Sequence, residues 1–163
     1  MNCFDCGKDK LSEGKENYRY MESGLPNVLL RDILVRRCPD CGAEFVSIPA
    51  IEDLHRTIAM ILVDKSGKLT PSEIRFMRKS LGWSGSDLAR KFHVSPSQVS
   101  RWESESSHQP MGKANELLLR AAIAYGQKID NYMDHAEELK LTKDSAPLIL
   151  TLSHTGGEWA NAA

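Results

Sequence analysis

The spacing of apolar positions changes several times along the chain, and each change marks an element. Between residues 18 and 48 the apolar residues come in short runs rich in β-branched and aromatic types. Tyr18-Arg19-Tyr20-Met21 and Val28 to Val35 read as strands separated by the turn-forming Gly24-Leu25-Pro26-Asn27, and Glu44-Phe45-Val46-Ser47-Ile48 closes the run before Pro49. The period then becomes helical. Ile51, Leu54, Ile58, Ile61 and Leu62 form one stripe, which predicts a helix over 50–64. His55 lies on that stripe and reads as a packed side chain rather than a ligand. Lys65-Ser66-Gly67-Lys68 ends the helix as a hinge-like linker, and a domain boundary is expected there.

Residues 69–106 carry three closely spaced helix signals. Thr70-Pro71-Ser72-Glu73 supplies a capping hydroxyl, a proline at the first helical position and an early acid, and Gly82 stops that helix after Leu81. Ser84 or Ser86 can cap a short helix bearing Leu88, Ala89 and Phe92. His93-Val94-Ser95 makes a turn, and Pro96 to Glu103 forms a third helix. This is the layout of a helix-turn-helix, with the third helix in the recognition position. Val94, Val99 and Trp102 are expected to face the core. Ser97, Gln98 and Arg101 are left outward, and glutamine and arginine suit bidentate contacts with base edges.

Beyond this segment, Lys113 to Tyr125 predicts an apolar helix. Ile129, Tyr132, Met133, Ala136, Leu139 and Leu141 can line a second, acidic one. Leu148 to Leu152 reads as an added edge strand or a docking segment, and Thr155 to Ala163 is expected to be a solvated, disordered tail. His154 beside the glycines is not enough for a second metal site. The fold class expected is α+β: residues 1–65 a small β-rich, metal-bound domain with a trailing helix, 66–128 an all-α helix-turn-helix domain, and 129–163 an acidic extension for dimerisation or partner docking.

Charge sharpens this division. The 163 residues carry a net charge of −1, but residues 1–65 hold −2, 66–128 hold +5 and 129–163 hold −4. A basic centre between acidic flanks is the footprint of a local polyanion contact. Arg75, Arg78, Lys79, Arg90 and Lys91 are the candidate phosphate contacts, joined by the hydroxyls of Ser86, Ser95 and Ser100. Their alternative is an ordinary solvated helix face; the adjacent recognition helix favours phosphate. No stretch approaches the roughly 18–20 apolar residues of a membrane span, and the start lacks the basic-then-apolar pattern of a signal peptide. A cytoplasmic location without membrane partners is therefore expected.

In such a compartment the four cysteines read as metal ligands or a redox pair rather than disulfides. Cys3, Cys6, Cys38 and Cys41 form two Cys-x-x-Cys hooks, each followed at once by a glycine, Gly7 or Gly42. Four thiolates in two short hooks suit one tetrahedral Zn2+ per chain. A dithiol redox centre of the thioredoxin type would sit near a βαβ pattern, which is absent, and a catalytic zinc would keep an open position. The zinc is thus expected to be structural, holding a unit too small to fold on apolar burial alone.

The stretches LTPSEIRFMRKSLGWSGSDLA and VSPSQVSRWES resemble the Xre/Cro-type helix-turn-helix family. Joined to a double-hook N-terminal zinc domain, they resemble the MqsA family of antitoxins with its YgiT-type zinc finger, over residues 1–125. The resemblance implies a structural zinc held by Cys3, Cys6, Cys38 and Cys41, base reading by Ser97, Gln98 and Arg101, and a homodimer that binds a palindromic operator in double-stranded DNA. It also implies repression of the chain's own operon and, in some members, binding of a cognate toxin. Base-facing residues vary within that family, so no operator sequence carries over, and this chain continues past the family's usual end.

Two readings follow. One is a dimeric DNA-binding repressor, as an antitoxin or as a stand-alone regulator; the other is chiefly a protein-binding module. An enzyme is not expected, because the sequence offers no plausible set of nucleophile, base and orienting group and no glycine-rich phosphate loop.

Overall fold

A computed structural model of the chain describes residues 2–8, 11–126 and 146–162. Strand β1 (Ser12–Arg19) pairs antiparallel with β2 (Val28–Arg37), the central strand of the sheet. Its apolar residues switch parity: Val28 and Leu30 are buried, then Ile33 and Val35. Strict alternation would have turned Asp32 inward. The chain instead takes a bulge, with the register slipping between Glu16 and Tyr18 and Asp32 at φ 55°, so Arg31 and Asp32 both stay exposed. The run expected at Tyr18 to Met21 is only the end of β1. That strand starts at Ser12, and Met21–Ser23 forms a 3-10 turn. The polar first half of β1 carries no burial signal because almost all of it faces solvent.

The far edge of β2 is shared. Strand β3 (Glu44–Ser47) pairs antiparallel with Leu34 to Arg37, and β4 (Leu150–Thr155) pairs in parallel with Val28 to Leu30. Strand β5 (Glu158–Asn161) returns antiparallel on β4, giving five strands among the described residues. The expected disordered tail is therefore a hairpin, and β4 is an inner strand rather than an edge. Gly156 and Gly157, at φ 63° and 89°, form the two-residue turn, a geometry that needs positive φ at both positions. Trp159 anchors the hairpin. Its ring is buried, its indole N–H donates to the Pro49 carbonyl (2.8 Å), and its backbone N–H donates to the Asp53 carboxylate (3.0 Å).

Asp53 belongs to α1 (Ile51–Val63), whose Leu54, Ile58, Leu62 and Val63 are buried. His55 accepts or donates a 2.8 Å bond with the Tyr20 hydroxyl, and burial holds its pKa below the usual imidazole value. It is a packed side chain, as its place on the stripe suggests. Helices α2 (Pro71–Ser80), α3 (Gly85–Lys91) and α4 (Pro96–Trp102) follow, then α5 (Lys113–Gly126). The helix expected over Ile129 to Leu141 lies outside the described residues.

The segment Lys65 to Lys68, expected to be a hinge-like linker, is held by buried hydrogen bonds. The Lys65 ammonium, itself buried, donates to the Lys68 carbonyl (2.7 Å) and to Glu73 (2.7 Å). Arg120 of α5, fully buried, donates to the carbonyls of Val63 (2.8 Å), Lys65 (2.6 Å) and Gly67 (2.8 Å), and to Glu116 (2.8 Å). Glu116 in turn accepts the Leu69 N–H at 3.2 Å. Glu73 closes a capping box with Thr70 and takes the Leu148 N–H at 3.0 Å, fastening the C-terminal segment to α2. One apolar cluster accordingly runs without a break from Tyr20 through the helices to Trp159.

Removing one partner of a buried ion pair strands the other charge, at a cost of about 3–5 kcal/mol. Arg120→Met, measured by urea unfolding, should lose stability of that order by uncapping α1 and leaving Glu116 unpaired. Trp159→Ala should cost about 3–5 kcal/mol as a large core truncation. In both variants far-UV signal and Trp fluorescence should report one coincident transition; separate transitions would contradict a shared core.

Candidate metal centre and nucleic-acid interface

The two cysteine hooks are built alike. Cys3 N–H donates to the Lys8 carbonyl and Gly7 N–H to the Cys3 carbonyl, at 2.8 and 2.9 Å. In the second hook Cys38 N–H donates to Ala43 and Gly42 N–H to Cys38, both at 2.9 Å. Gly7 and Gly42 stand at φ 72° and 75°, which lets each turn reverse without a Cβ clash. Lys8 and Asp40 join the hooks across an exposed 3.3 Å pair.

These turns bring all four sulfurs within 4.8 Å of one another. Cys3 lies 3.6 Å from Cys41 and Cys6 lies 3.6 Å from Cys38, far longer than the about 2.05 Å of a disulfide. Tetrahedral Zn–S bonds of about 2.3 Å put sulfurs about 3.8 Å apart, so the donor set fits a zinc-sized ion. The thiols also fit it electrostatically. Backbone N–H groups of Cys41 and then Asp40 draw the Cys38 thiol down to about 7 against its burial. Cys41 is pushed up to about 12 although the Ala43 N–H pulls the other way, because the neighbouring Cys38 sulfur, and to a lesser degree desolvation within the cluster, oppose a second thiolate. A cation removes that conflict. Cys3 and Cys38 are buried while Cys6 and Cys41 reach the surface, so the centre ties the start of the chain to the end of β2.

The helix-turn-helix is assembled by its caps. Ser84, rather than Ser86, caps α3 in a box with Asp87, and Ser95 caps α4 by accepting the Gln98 N–H at 3.2 Å. Pro96 follows at the first helical position, where a missing N–H costs nothing. His93 takes φ 53° in the turn, and Leu88, Ala89, Phe92, Val99 and Trp102 are buried beneath it, with Val94 half-buried. Ser97, Ser100 and Arg101 are exposed on α4 and Gln98 is half-buried. Arg101 lies one turn after Ser97 and Gln98, and its guanidinium donates to the Gln109 side chain at 3.3 Å.

The basic residues divide. Arg78 is not a free cation: its side chain is largely buried and donates to both carboxylate oxygens of Glu103 and to the Trp83 carbonyl (2.7 Å), and Glu103 raises its pKa. Arg75 donates to the Glu103 carbonyl at 2.7 Å but stays half-exposed. Lys79, Arg90 and Lys91 are exposed; Arg90 pairs with Asp87 (2.8 Å), and Lys91 lies 5.0 Å above the Trp83 ring. Ser86 and Ser100 are exposed, and Ser95 is engaged as a cap. Glu103 is the residue that pattern reading passed over. It follows Trp102 directly and pins the end of α4 to α2. An acid beside a core tryptophan, on a chain with an arginine in α2, was the available signal.

Residues 74–118, from α2 into α5, match a helix-turn-helix family model. That domain supports a DNA-binding transcription regulator. Neither the curated proteins nor the solved structures yield a match to the chain. Among the described residues no helix is long and apolar enough to cross a membrane.

Metal analysis should return one zinc per chain, released with loss of thermal stability on chelation and reduced in Cys38→Ser. Glu103→Ala should cost about 1.5–3 kcal/mol, the worth of hydrogen bonds to a charged group, and should be visible in thermal unfolding before any DNA measurement.

Proposed function

We propose that this chain is a non-enzymatic, cytoplasmic transcriptional repressor that binds a palindromic operator as a homodimer and serves as the antitoxin of a toxin–antitoxin pair, regulating its own operon. The observation that carries the DNA reading is the recognition helix itself: a seven-residue helix, capped by Ser95 and clamped by Glu103, that keeps Ser97 and Arg101 exposed while Val99 and Trp102 are buried. Arginine donates two parallel bonds to guanine O6 and N7, and glutamine pairs in the same way with adenine. Arg75, which bonds the Glu103 carbonyl at the end of this helix, together with the exposed Lys79 of α2 and Arg90 and Lys91 of α3, supplies the sequence-independent attraction.

Dimerisation is supported by α5. Of the apolar run, Leu119, Ile123 and Ala124 are buried, whereas Leu118 and Tyr125 are 48% and 86% exposed and fall two turns apart on one outer face. A two-fold pairing there would present two recognition helices to half-sites about 34 Å apart. The antitoxin part of the reading rests on the combination of a four-cysteine centre and a helix-turn-helix in one chain. Co-purification from the native host tests it: a small basic partner supports the antitoxin, and its absence leaves a stand-alone regulator.

Arg101→Ala should cost about 1–3 kcal/mol on the preferred operator and little on scrambled duplex, whereas Lys91→Ala should weaken both alike and reduce the salt slope by about one. Titrations of both variants against matched and scrambled DNA at several salt concentrations check this. Identical behaviour of the two would remove α4 from the recognition role. Leu118→Glu should give a monomer by light scattering and lose operator affinity without loss of fold.

A further inference from the structure

Beside the C-terminal end of α4 lies a cavity of about 370 Å³, roofed by the loop that joins α4 to α5. Its floor is apolar: Leu69, Ile74, Trp102 and Met111 are all buried residues of the core. The roof holds its shape by short-range bonds rather than by packing. Ser104 and Ser106 share a 2.9 Å bond, and Gln109 N–H donates to Ser107 at 3.3 Å. Only Met111 plugs the loop into the core. The space is at the low end of the roughly 300–1,000 Å³ typical of ligand pockets, and it has their composition, an apolar floor with a few polar groups at the mouth.

Those polar groups are unequal in sign. Two cations, Arg101 and Lys68, line the cavity against one carboxylate, Glu105, with the His108 side chain beside them. Arg101 is already drawn toward the roof by its bond to Gln109, a neutral partner that a carboxylate would outcompete. We propose that this cavity binds a small molecule with an apolar body and a single carboxylate, which ion-pairs with Arg101 and thereby competes with operator DNA. The competition rests on the reading of Arg101 as a base-contacting residue: one guanidinium cannot serve both a carboxylate at the cavity mouth and a guanine in the major groove. By linkage, operator DNA lowers the affinity for the carboxylate by the same factor.

The full-length protein tests this with 2-naphthoate as the probe and 2-naphthamide as its neutral isostere. Naphthoate should bind at least tenfold more tightly than the amide by calorimetry. In proton–nitrogen spectra it should move the Trp102 indole N–H and the Met111 amide while leaving the Trp83 indole in place. Arg101→Gln, an exposed change that should leave the fold intact, should abolish the preference for the carboxylate. Saturating naphthoate should weaken binding to a duplex selected from a random pool at least fivefold for the wild type and not further for Arg101→Gln. Equal affinity for acid and amide, no binding, or shifts confined to other tryptophans would overturn the site. Binding at Trp102 with undiminished operator affinity would overturn the competition. If Arg101→Gln lost naphthoate but kept full operator affinity, the base-reading role would fail while the carboxylate site stood.

Discussion

The fold depends on the buried guanidinium of Arg120. Taking an arginine fully out of water is costly unless its donors are matched, and here α1 ends at the place where matching acceptors are needed. The last carbonyls of a helix lack intrahelical partners; that of Val63 accepts from Arg120, as do those of Lys65 and Gly67 in the loop that follows, and Glu116 neutralises it. The two terminal nitrogens of the guanidinium are matched in this way, while its buried Nε has no hydrogen-bond partner. With Lys65 and Glu73 beside them, these contacts convert a stretch with the composition of a linker into a hydrogen-bonded joint between the sheet and the helix-turn-helix.

The same joint decides what the C-terminal segment does. Glu73 accepts the Leu148 N–H, which aims the following residues along the open edge of β2. There Leu150 and Leu152 are buried, and β5 returns to seat Trp159 against α1. The end of the chain thereby completes a sheet begun at its start. The zinc-sized thiol cluster closes the opposite end of β2, so that strand is held at one end by sulfur chemistry and at the other by its own C-terminal hairpin.

Local features were legible in the sequence and long-range ones were not. The cysteine hooks, the capping boxes at Thr70 and Ser84, the proline-led starts of α2 and α4 and the apolar frame of α4 each announce themselves within a few residues, because caps and metal turns are short-range physics. The Gly156-Gly157 turn was equally local, but flanked by Thr155 and Glu158 it resembled a solvated tail, since the residue that buries the hairpin is the single Trp159. Lys65 and Arg120 were hidden for another reason: charged residues are usually exposed, and only the tertiary meeting of α1, α2 and α5 supplies acceptors that make their burial tolerable. The pairing that holds Arg78, expected as a phosphate contact, was hidden because its partner Glu103 lies 25 residues further along the chain.

The functional account stands on α4 entering a major groove and Arg101 meeting guanine there. Dimethyl sulfate footprinting tests that most directly, because it methylates guanine N7 in the major groove and adenine N3 in the minor groove. The account predicts guanine N7 protection in two major-groove segments about one helical turn apart on one face of the duplex, with the Arg101→Ala protein losing both. Protection confined to adenine N3, or guanine protection that survives removal of the Arg101 side chain, would contradict it.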